Sequence, residues 1–379
     1  MKIAVIGAGP AGSQAAYCLA SCGYKVDVFE EHPVIGKPVQ CTGIISKNLK
    51  NIIPVSKEFV VNEVKGAVIY SKHQKLEIKT GKTQAFIIDR TRLDKFLAER
   101  ARKQGANFYL NHKFLGYEKV NNRFILKFYY RTKIITKEAD ILIGADGPLS
   151  KVGKQAGLLD TRQYLYGIQA RVKGEFDKEH VQLYLGSVCP FFFAWLVPES
   201  DKYARIGLAA EKNSRALFNN FISRFDCKII NKQAGLIPVY KKSKVNKAGL
   251  YLVGDAAAHV KATTGGGVVM SLLAAKALAK SIHTKIPYKY LLRKLNSNLW
   301  LTGKIRNRMN RLSDNDYDCI LRLLKQPRLL GYLKSKGDMD FQKPGFWLRF
   351  LAKEPRLLKY LFQPCKKHHK LVSGSNQLL

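Results

Sequence analysis

The sequence predicts an α/β fold in which a parallel sheet is interrupted by a mostly antiparallel β segment and is followed by a basic helical region. Three observations predict it. A buried strand runs into a glycine-rich turn at the N-terminus, two later buried strands end near Asp146 and Asp255, and the segment between those two reads as short strands. The chain of 379 residues is long enough for two domains or one large interrupted domain.

The N-terminal segment reads as a strand, a turn, a helix and a second strand. Gly7, Gly9 and Gly12 occupy the G-x-G-x-x-G positions, which serve a tight turn, close approach to a pyrophosphate, and helix–strand packing. The helix start, including Ala11, offers free backbone N–H groups to phosphates. Glu30 ends the second strand, where a carboxylate can accept hydrogen bonds from a ribose. The segment predicts a Rossmann-type site for FAD or NAD.

Two later segments favour FAD. Residues 138–157 hold a buried strand that leads to Asp146, and residues 248–279 hold another that leads to Gly254 and Asp255. Asp255 is placed to bind a ribityl hydroxyl. The triple glycine at 265–267 then opens a long apolar helix, whose start can stabilise negative charge on a reduced flavin. Gly266 and Gly267 are therefore candidate cofactor-binding residues, although each Gly-Asp pair alone is compatible with an ordinary turn.

These segments predict three regions. Residues 1–65, 86–160 and 246–285 form a discontinuous FAD-binding domain, and residues 66–85 and 161–245 form a substrate-binding β-sheet domain. Residues 286–379 form a basic helical region, whose last residues read as a frayed tail.

The order of motifs resembles the flavoprotein superfamily of aromatic hydroxylases. Within it, the chain is most similar to the geranylgeranyl reductase family, including archaeal-type enzymes that saturate the prenyl chains of membrane lipids. The similarity covers roughly the first 285 residues, and KPVQCTGIIS matches the family signature P-x-x-C-x-G-x-x-S at Pro38, Cys41, Gly43 and Ser46. The resemblance implies that this loop faces flavin and substrate and that Cys41 is catalytic; a passive filler is the alternative.

The same resemblance marks an apolar substrate wall. PFFFAWLVPESDKYARIGLA is similar to the family pattern Y-x-W-x-F-P followed by G-x-G. Trp195, Pro198 and Gly207 match it, and Phe193 replaces the tyrosine. The resemblance implies that these four residues line the substrate chamber and that Trp195 is also a catalytic candidate. The alternative is an ordinary buried strand.

Other positions carry weaker expectations. The resemblance places Arg90 near the flavin, whereas Arg92 reads as surface charge. Lys261 and Ala262 occupy positions where the family usually has Asn or Asp and then Pro. Lys261 would either put a cation near the flavin pyrimidine or point to solvent. His259 could be an acid/base group, but a lone loop histidine is more often incidental.

Charge suggests an anionic partner. The chain has 65 Lys and Arg against 28 Asp and Glu, a formal net charge of +37, and residues 276–379 hold 23 of the basic residues but 6 of the acidic ones. Such a field attracts anionic lipid or nucleic acid. A basic bias spread over the whole surface is the alternative. Residues 288–312 and 344–364 mix apolar and basic positions, so they could lie on a bilayer or pack on the cofactor domain. No nucleic-acid module is recognisable, so no nucleic acid is expected.

Targeting signals and cysteine positions indicate where the protein is located and whether it has disulfides or a metal site. The sequence shows no secretory signal and no apolar run of the ~18 residues that span a bilayer, so we expect a cytoplasmic protein with peripheral membrane association. The 7 cysteines are scattered, which argues against a disulfide framework. Cys18 and Cys22 read as small core residues, and no metal site is expected.

These features lead to one hypothesis and two alternatives. The first is an FAD-dependent reductase that adds a hydride and a proton across C=C bonds of geranylgeranyl chains, carried by a prenyl lipid or a prenyl diphosphate, with an external electron donor. The proton source stays open among lysines, water and Cys41. The alternatives are a flavin-dependent monooxygenase or halogenase acting on an apolar substrate, and a basic membrane-binding protein with a vestigial flavin fold.

Overall fold

The computed structural model describes residues 1–159, 162–338, 340 and 344–362. The strands, in chain order, are β1 (Lys2–Ile6), β2 (Lys25–Phe29), β3 (Ile44–Ser46), β4 (Val60–Val64), β5 (Gly66–Tyr70), β6 (Lys75–Lys79), β7 (Ala85–Ile88), β8 (Asn107–Tyr109), β9 (His112–Val120), β10 (Arg123–Tyr130), β11 (Lys133–Ala139), β12 (Ile141–Gly144), β13 (Tyr164–Lys173), β14 (His180–Tyr184), β15 (Ala194–Pro198), β16 (Tyr203–Ala210), β17 (Lys228–Pro238), β18 (Asn246–Lys247) and β19 (Leu250–Leu252).

The α-helices are α1 (Pro10–Ala20), α2 (Arg90–Lys103), α3 (Lys151–Gln155), α4 (Ser214–Ile222), α5 (Val268–Thr284), α6 (Tyr288–Leu291), α7 (Arg293–Met309), α8 (Asp314–Leu324), α9 (Pro327–Lys336), α10 (Pro344–Lys353) and α11 (Leu358–Phe362). Short 3₁₀ helices cover Lys47–Asn51, Gly254–Ala257 and Pro355–Leu357.

A six-stranded sheet with the order β18-β19-β12-β1-β2-β8 carries the cofactor motifs. All neighbours run parallel except β18 and β19, and the central strands are apolar because both faces are covered. Helices α1, α2 and α5 pack on one face. The antiparallel sheet β11-β10-β9 packs on the other through Phe114, Phe124 and Phe128. The glycine turn after β1, Glu30 after β2 and the Gly-Asp segments after β12 and β19 thus meet at one sheet edge.

A seven-stranded sheet stands beside it, with the order β17-β13-β16-β15-β14-β5-β6. Its neighbours are antiparallel except β14 and β5, which run parallel. A small sheet, β3-β7-β4, leads from the cysteine-containing loop into α2. The predicted α/β class, with a mostly antiparallel β part and a C-terminal helical region, is therefore confirmed.

The C-terminal region divides between two apolar clusters. Tyr288 of α6, Leu295 and Leu299 of α7, and Leu292 between the two helices are buried in the same core as α1 and α5. Helices α8 to α11 form a separate cluster, which includes Leu329, Phe350, Leu357 and Tyr360. Residues 363–379, including the sequence read as a frayed tail, lie outside the described residues. Within the described part, no helix is both long and apolar enough to cross a bilayer.

One cysteine expectation is wrong. Cys18 is half-buried against the core, but Cys22 is exposed. Helix α1 ends at Ala20, so Cys22 lies in the turn beyond it rather than on its buried face.

Candidate active site

The three glycines after β1 differ in what surrounds them. A Cβ added at Gly7 would lie 2.4 Å from the carbonyl oxygen of Ala145, and one at Gly12 would lie 2.0 Å from that of Gly7. A Cβ at Gly9 would have no atom within 4 Å. Gly7 also has a φ of +101°, a conformation that favours glycine. Gly7 and Gly12 are thus required by the fold, while Gly9 faces open space at the start of α1, where a pyrophosphate fits.

Carboxylates surround this edge of the sheet. Glu30 Oε2 accepts a hydrogen bond of 2.8 Å from the Ala8 N–H, so the glycine turn itself positions the carboxylate. Asp146 accepts from Ser150 Oγ at 2.5 Å and from the Val152 N–H at 3.1 Å. Asp146 therefore organises the start of α3, a role that sequence reasoning did not assign to it. Burial raises the pKa of Asp146, and these hydrogen bonds oppose the rise only in part.

The charges of two arginines act on Asp255. Desolvation raises the pKa of Asp255, against the charges of Arg90 and Arg162. Arg162 also donates hydrogen bonds of 3.0 and 3.1 Å to the carbonyls of Asp255 and Ala256. A Cβ at Gly254 would lie 2.7 Å from the Ala11 side chain, and one at Gly267 would lie 3.2 Å from Asp255 Oδ1. The second Gly-Asp segment thus packs against the start of α1 and aligns Asp255 with the start of α5.

The loop that carries Cys41 is held by the cofactor side of the molecule. Gly43 has a φ of +85°, and a Cβ there would lie 2.5 Å from the Ile88 carbonyl oxygen, so the position requires glycine. Arg90, at the start of α2, forms a two-pronged ion pair with Asp94 at 3.1 and 3.0 Å. Arg90 also interacts with the Cys41 thiol. Burial opposes the charged form of Arg90, but the neighbouring Asp94 carboxylate outweighs it and raises the pKa of Arg90.

The same loop is held from the other side by the seven-stranded sheet. Arg205 donates a hydrogen bond of 2.7 Å to the Cys41 carbonyl, and Thr42 donates one of 2.9 Å to Gln169. Gln40 packs against Gly235, whose added Cβ would lie 3.1 Å from the Gln40 side chain. Cys41 therefore lies at the junction between the cofactor-binding sheet and the β-sheet domain.

Trp195 belongs to the sheet face that meets this loop. It pairs directly with Gly207, which pairs with Gln169 on the next strand. Trp195 is 7% exposed, and its indole nitrogen has no hydrogen-bond partner among the described residues. A Cβ at Gly207 would lie 2.9 Å from the indole, so this glycine makes room for the ring. Phe193 meets Trp195 edge-on, with the ring centroids 5.8 Å apart.

Pro198 does not share that wall. It lies three residues after Trp195 in β15, and because strand side chains alternate, it points to the opposite face of the sheet. Sequence reasoning grouped the two residues by motif and did not use this alternation.

The aromatic segment also touches the triple glycine. A Cβ at Gly265 would lie 3.2 Å from the Phe192 ring and 3.4 Å from Ile237. Arg306 of α7 is 5% exposed and donates hydrogen bonds of 3.1 and 2.7 Å to the carbonyls of Ala262 and Thr263. Its guanidinium lies 4.8 Å from the Phe192 ring centroid. A buried arginine thus joins the glycine turn, the aromatic wall and the C-terminal region.

Two open expectations are decided by burial. His259 is fully buried, its Nδ1 lies 3.3 Å from the Gly254 N–H, and burial lowers its pKa to about 3. It stays neutral near pH 7 and is a poor proton donor. Lys261 does not point to solvent: it is 5% exposed, and its Nζ lies 2.6 Å from Asp340. Arg92, by contrast, is exposed, as expected.

Sequence reasoning missed Arg162, Arg205, Arg306, Phe192 and Asp340. Only Arg205 left a usable signal, as the one charge in the apolar strand YARIGLAA. The other four depend on contacts between segments far apart in the chain.

The described residues fit FAD. The open space at Gly9, the free start of α1, Glu30 and the aligned Asp255 and Gly267 match what a dinucleotide flavin requires. Residues 1–170 also match the family model described as FAD binding domain. The fold and site define a flavoprotein with FAD as its cofactor.

Comparison with known proteins identifies the family. Over 298 aligned residues, the chain is 31% identical to digeranylgeranylglycerophospholipid reductase of Thermoplasma acidophilum. The alignment covers 72% of this chain and 75% of that protein. The chain belongs to this reductase family.

Solved structures agree on the fold. A geranylgeranyl bacteriochlorophyll reductase-like protein of Thermoplasma acidophilum superposes with a TM-score of 0.80 at 26% identity, covering 95% of this chain and 98% of that one. A flavin-dependent halogenase superposes with a TM-score of 0.67 at 16% identity, covering 94% of this chain and 78% of that one. At this identity, the likeness shows a shared fold alone. The halogenase alternative thus has only a distant structural relation in its favour.

Proposed function

We propose that the protein is an FAD-dependent reductase that saturates C=C bonds of geranylgeranyl chains in the synthesis of archaeal-type membrane lipids. One hydride and one proton add across each double bond, and an external donor replaces the two electrons. When bound, FAD supplies the hydride. The observation that carries the proposal is the position of Cys41. Its loop accepts a hydrogen bond of 2.9 Å at the Gly43 carbonyl from Ile88 on the cofactor side, and its own carbonyl accepts one of 2.7 Å from Arg205 on the sheet side.

The apolar wall supports a hydrocarbon substrate. Trp195, Phe193 and Phe192 are all buried, and Phe192 packs against the triple glycine where the flavin is expected. Burying one CH₂ group stabilises binding by about 0.8 kcal/mol. A prenyl chain therefore needs few polar contacts to bind here.

An unactivated alkene also needs a proton donor, because hydride addition alone would leave a carbanion. The Cys41 thiol is the proposed donor, since it lies on the loop between cofactor and wall. His259, neutral and fully buried, is excluded from that role by its pKa of about 3.

The function is tested by anaerobic incubation of the holoenzyme, reduced with dithionite, with digeranylgeranylglycerophospholipid or with geranylgeranyl diphosphate. We expect mass spectra in which the product gains two hydrogen atoms per double bond, with no gain when dithionite is omitted. The more rapidly reduced of the two compounds identifies the carrier of the chain. Oxygen or halogen incorporation in aerated samples, without hydrogenation, would contradict the proposal.

We further infer that one face of α7 contacts an anionic membrane. Arg293, Ser297, Trp300 and Lys304 are exposed and spaced so that they share one helix face. Trp300 is 53% exposed, with the Lys304 ammonium 5.4 Å from its ring centroid. The helix sequence contains no acidic residue. An exposed tryptophan among cations suits the interface of an anionic bilayer.

Vesicle co-sedimentation tests this contact. We expect binding to phosphatidylglycerol vesicles, weaker binding to phosphatidylcholine vesicles, and loss of most binding in Trp300→Ser. Tyr129→Ser is the matched control, because Tyr129 is also an exposed aromatic residue, on β10. Equal loss in both variants, or equal binding to both vesicle types, would refute the assignment of this face.

A further inference from the structure

Lys261 and Asp340 form a buried ion pair beside the triple-glycine turn. Their side chains are 6% and 2% exposed, and Lys261 Nζ lies 2.6 Å from Asp340 Oδ1. Lys261 follows the second Gly-Asp segment, whereas Asp340 follows α9 in the C-terminal region. The pair therefore connects the cofactor-binding edge with a segment about eighty positions further along the chain.

Further hydrogen bonds fix the carboxylate. Asp340 Oδ2 accepts from the Ser46 hydroxyl and from Asn48 Nδ2, the latter at 3.1 Å. Its backbone carbonyl accepts a hydrogen bond of 2.7 Å from Asn298 of α7. Ser46 is the last residue of the cysteine-containing signature. Asp340 thus contacts the Cys41 loop, α7 and Lys261. These contacts hold its carboxylate in a fixed position.

The ammonium is fixed against the turn itself. A Cβ at Gly266 would lie 3.3 Å from Lys261 Cε and 3.6 Å from Lys261 Nζ. The Lys261 N–H donates to the Gly266 carbonyl at 3.2 Å, and the Gly265 N–H donates to the Lys261 carbonyl at 2.8 Å. The cation therefore lies against the turn, while its counter-charge is shared with Ser46 and Asn48.

A contribution to the stability of the fold is a weak explanation for the presence of a buried ion pair. Removing two charges from water costs about as much as their attraction returns, so apolar replacements of buried pairs are often neutral or stabilising. A charge effect on a neighbouring group is a better reason, because interactions are poorly screened in a buried site.

We propose that Asp340 and Lys261 are a positioning pair that sets the reduction potential of the bound flavin. The inference rests on the proposed function only for the location of the flavin beside this turn. A buried cation there favours the reduced, electron-rich flavin and so makes it a weaker hydride donor. Asp340 neutralises that cation, which preserves the reducing power needed for an unactivated alkene. The C-terminal region thereby contributes to the redox centre.

The test is the midpoint potential of the FAD-loaded protein, measured against reference dyes. Asp340→Asn removes the negative charge that lies against Lys261, so the potential should rise above that of the wild type. Lys261→Met leaves the carboxylate alone, so the potential should fall below it. The double variant, which carries neither charge, should lie between the two single variants. Opposite shifts are not expected from a purely structural role.

A charge-preserving variant and a control variant complete the test. Lys261→Arg should retain the wild-type potential, and Arg356→Met, which removes a cation paired with Glu354 elsewhere in the C-terminal region, should not change it. If Asp340→Asn does not retain FAD, Asp340→Glu with a wild-type potential and Lys261→Met with a lowered one support the proposal. Unchanged potentials, or shifts of the same sign in both single variants, would overturn it. Because no prenyl substrate is used, this failure is distinguishable from failure of the proposed reaction.

Discussion

Arg205 in β16 donates a hydrogen bond of 2.7 Å to the backbone carbonyl of Cys41, across the junction of the two main sheets. Its Nε lies 2.7 Å from Glu199, whose second oxygen accepts from Arg171 at 2.6 Å. Hydrogen bonds from charged donors are shorter and stronger than neutral ones. The position of the Cys41 loop relative to the β-sheet domain is therefore set by a buried, charged side chain.

Replacing Arg205 with Met should destabilise the protein strongly. Glu199 would keep only Arg171, and the Cys41 carbonyl would lose its donor. Removing one partner of a buried pair costs about 3–5 kcal/mol in the free energy of unfolding, measured by urea denaturation. Arg123→Met is the control, because the Arg123 and Glu138 side chains are 60% and 57% exposed. That exposed pair should contribute about 0–1 kcal/mol. Equal losses in the two variants would show that Arg205 does not act as a buried charge.

Replacing Cys41 with Ala should lower turnover without releasing FAD. If the thiol donates the proton, its loss should slow reduction of the prenyl chain by about a hundredfold or more. Cys41→Ser keeps a weaker acid of similar size, so its turnover should lie between that of the wild type and that of Cys41→Ala. Turnover is followed by mass spectrometry of the product, and FAD content by absorbance. Wild-type turnover in Cys41→Ala would reduce Cys41 to a space-filling residue.

Alanine substitutions in the first glycine turn should separate cofactor binding from folding. Gly9→Ala adds a methyl group into open space, so the fold should persist while FAD affinity falls at least tenfold, measured by fluorescence titration. Gly12→Ala places a Cβ 2.0 Å from the Gly7 carbonyl oxygen and should impair folding itself. Loss of soluble protein in Gly9→Ala, or full FAD affinity, would argue against the assignment of Gly9 to the pyrophosphate.

Gly207 offers a parallel test of the aromatic wall. A Cβ there would lie 2.5 Å from the Gln169 side chain and 2.9 Å from the Trp195 ring, so Gly207→Ala should displace the indole and lower stability. Gly303→Ala in α7 is the control, because a Cβ there meets nothing within 4 Å. Alanine in a helix interior is favoured over glycine by about 0.5–1 kcal/mol. In urea denaturation, we expect the free energy of unfolding to fall in Gly207→Ala and to rise in Gly303→Ala. A rise in Gly207→Ala would contradict the tight packing around Gly207.

Local patterns predicted much of this architecture. The turn after β1, the Gly-Asp segments and the alternation of the β-sheet domain each follow from nearby residues, since glycine positions and strand periods are local properties. The class and cofactor were therefore predictable. Contacts between distant segments were not. Nothing in the sequence around Asp340 indicates that it pairs with Lys261, and the motif that joins Trp195 to Pro198 conceals their opposite faces.

His259 should impose a pH dependence on stability. Burial, with a smaller effect of Arg162, lowers its pKa from 6.5 to about 3. Between these values the unfolded chain binds a proton at His259 and the folded protein does not. The stabilisation is therefore complete above pH 6.5 and is lost as the pH falls towards 3, at about 1.4 kcal/mol per pH unit.

The measurement compares wild type with His259→Asn, in which the amide oxygen can still accept from the Gly254 N–H. Other titrating groups are common to both proteins and cancel in the difference. Between about pH 7.5 and about pH 5.5, the wild type should lose about 1.4 kcal/mol more than the variant in the free energy of unfolding. Parallel pH curves would mean that His259 is protonated in the folded state, which would return it to the list of possible proton donors.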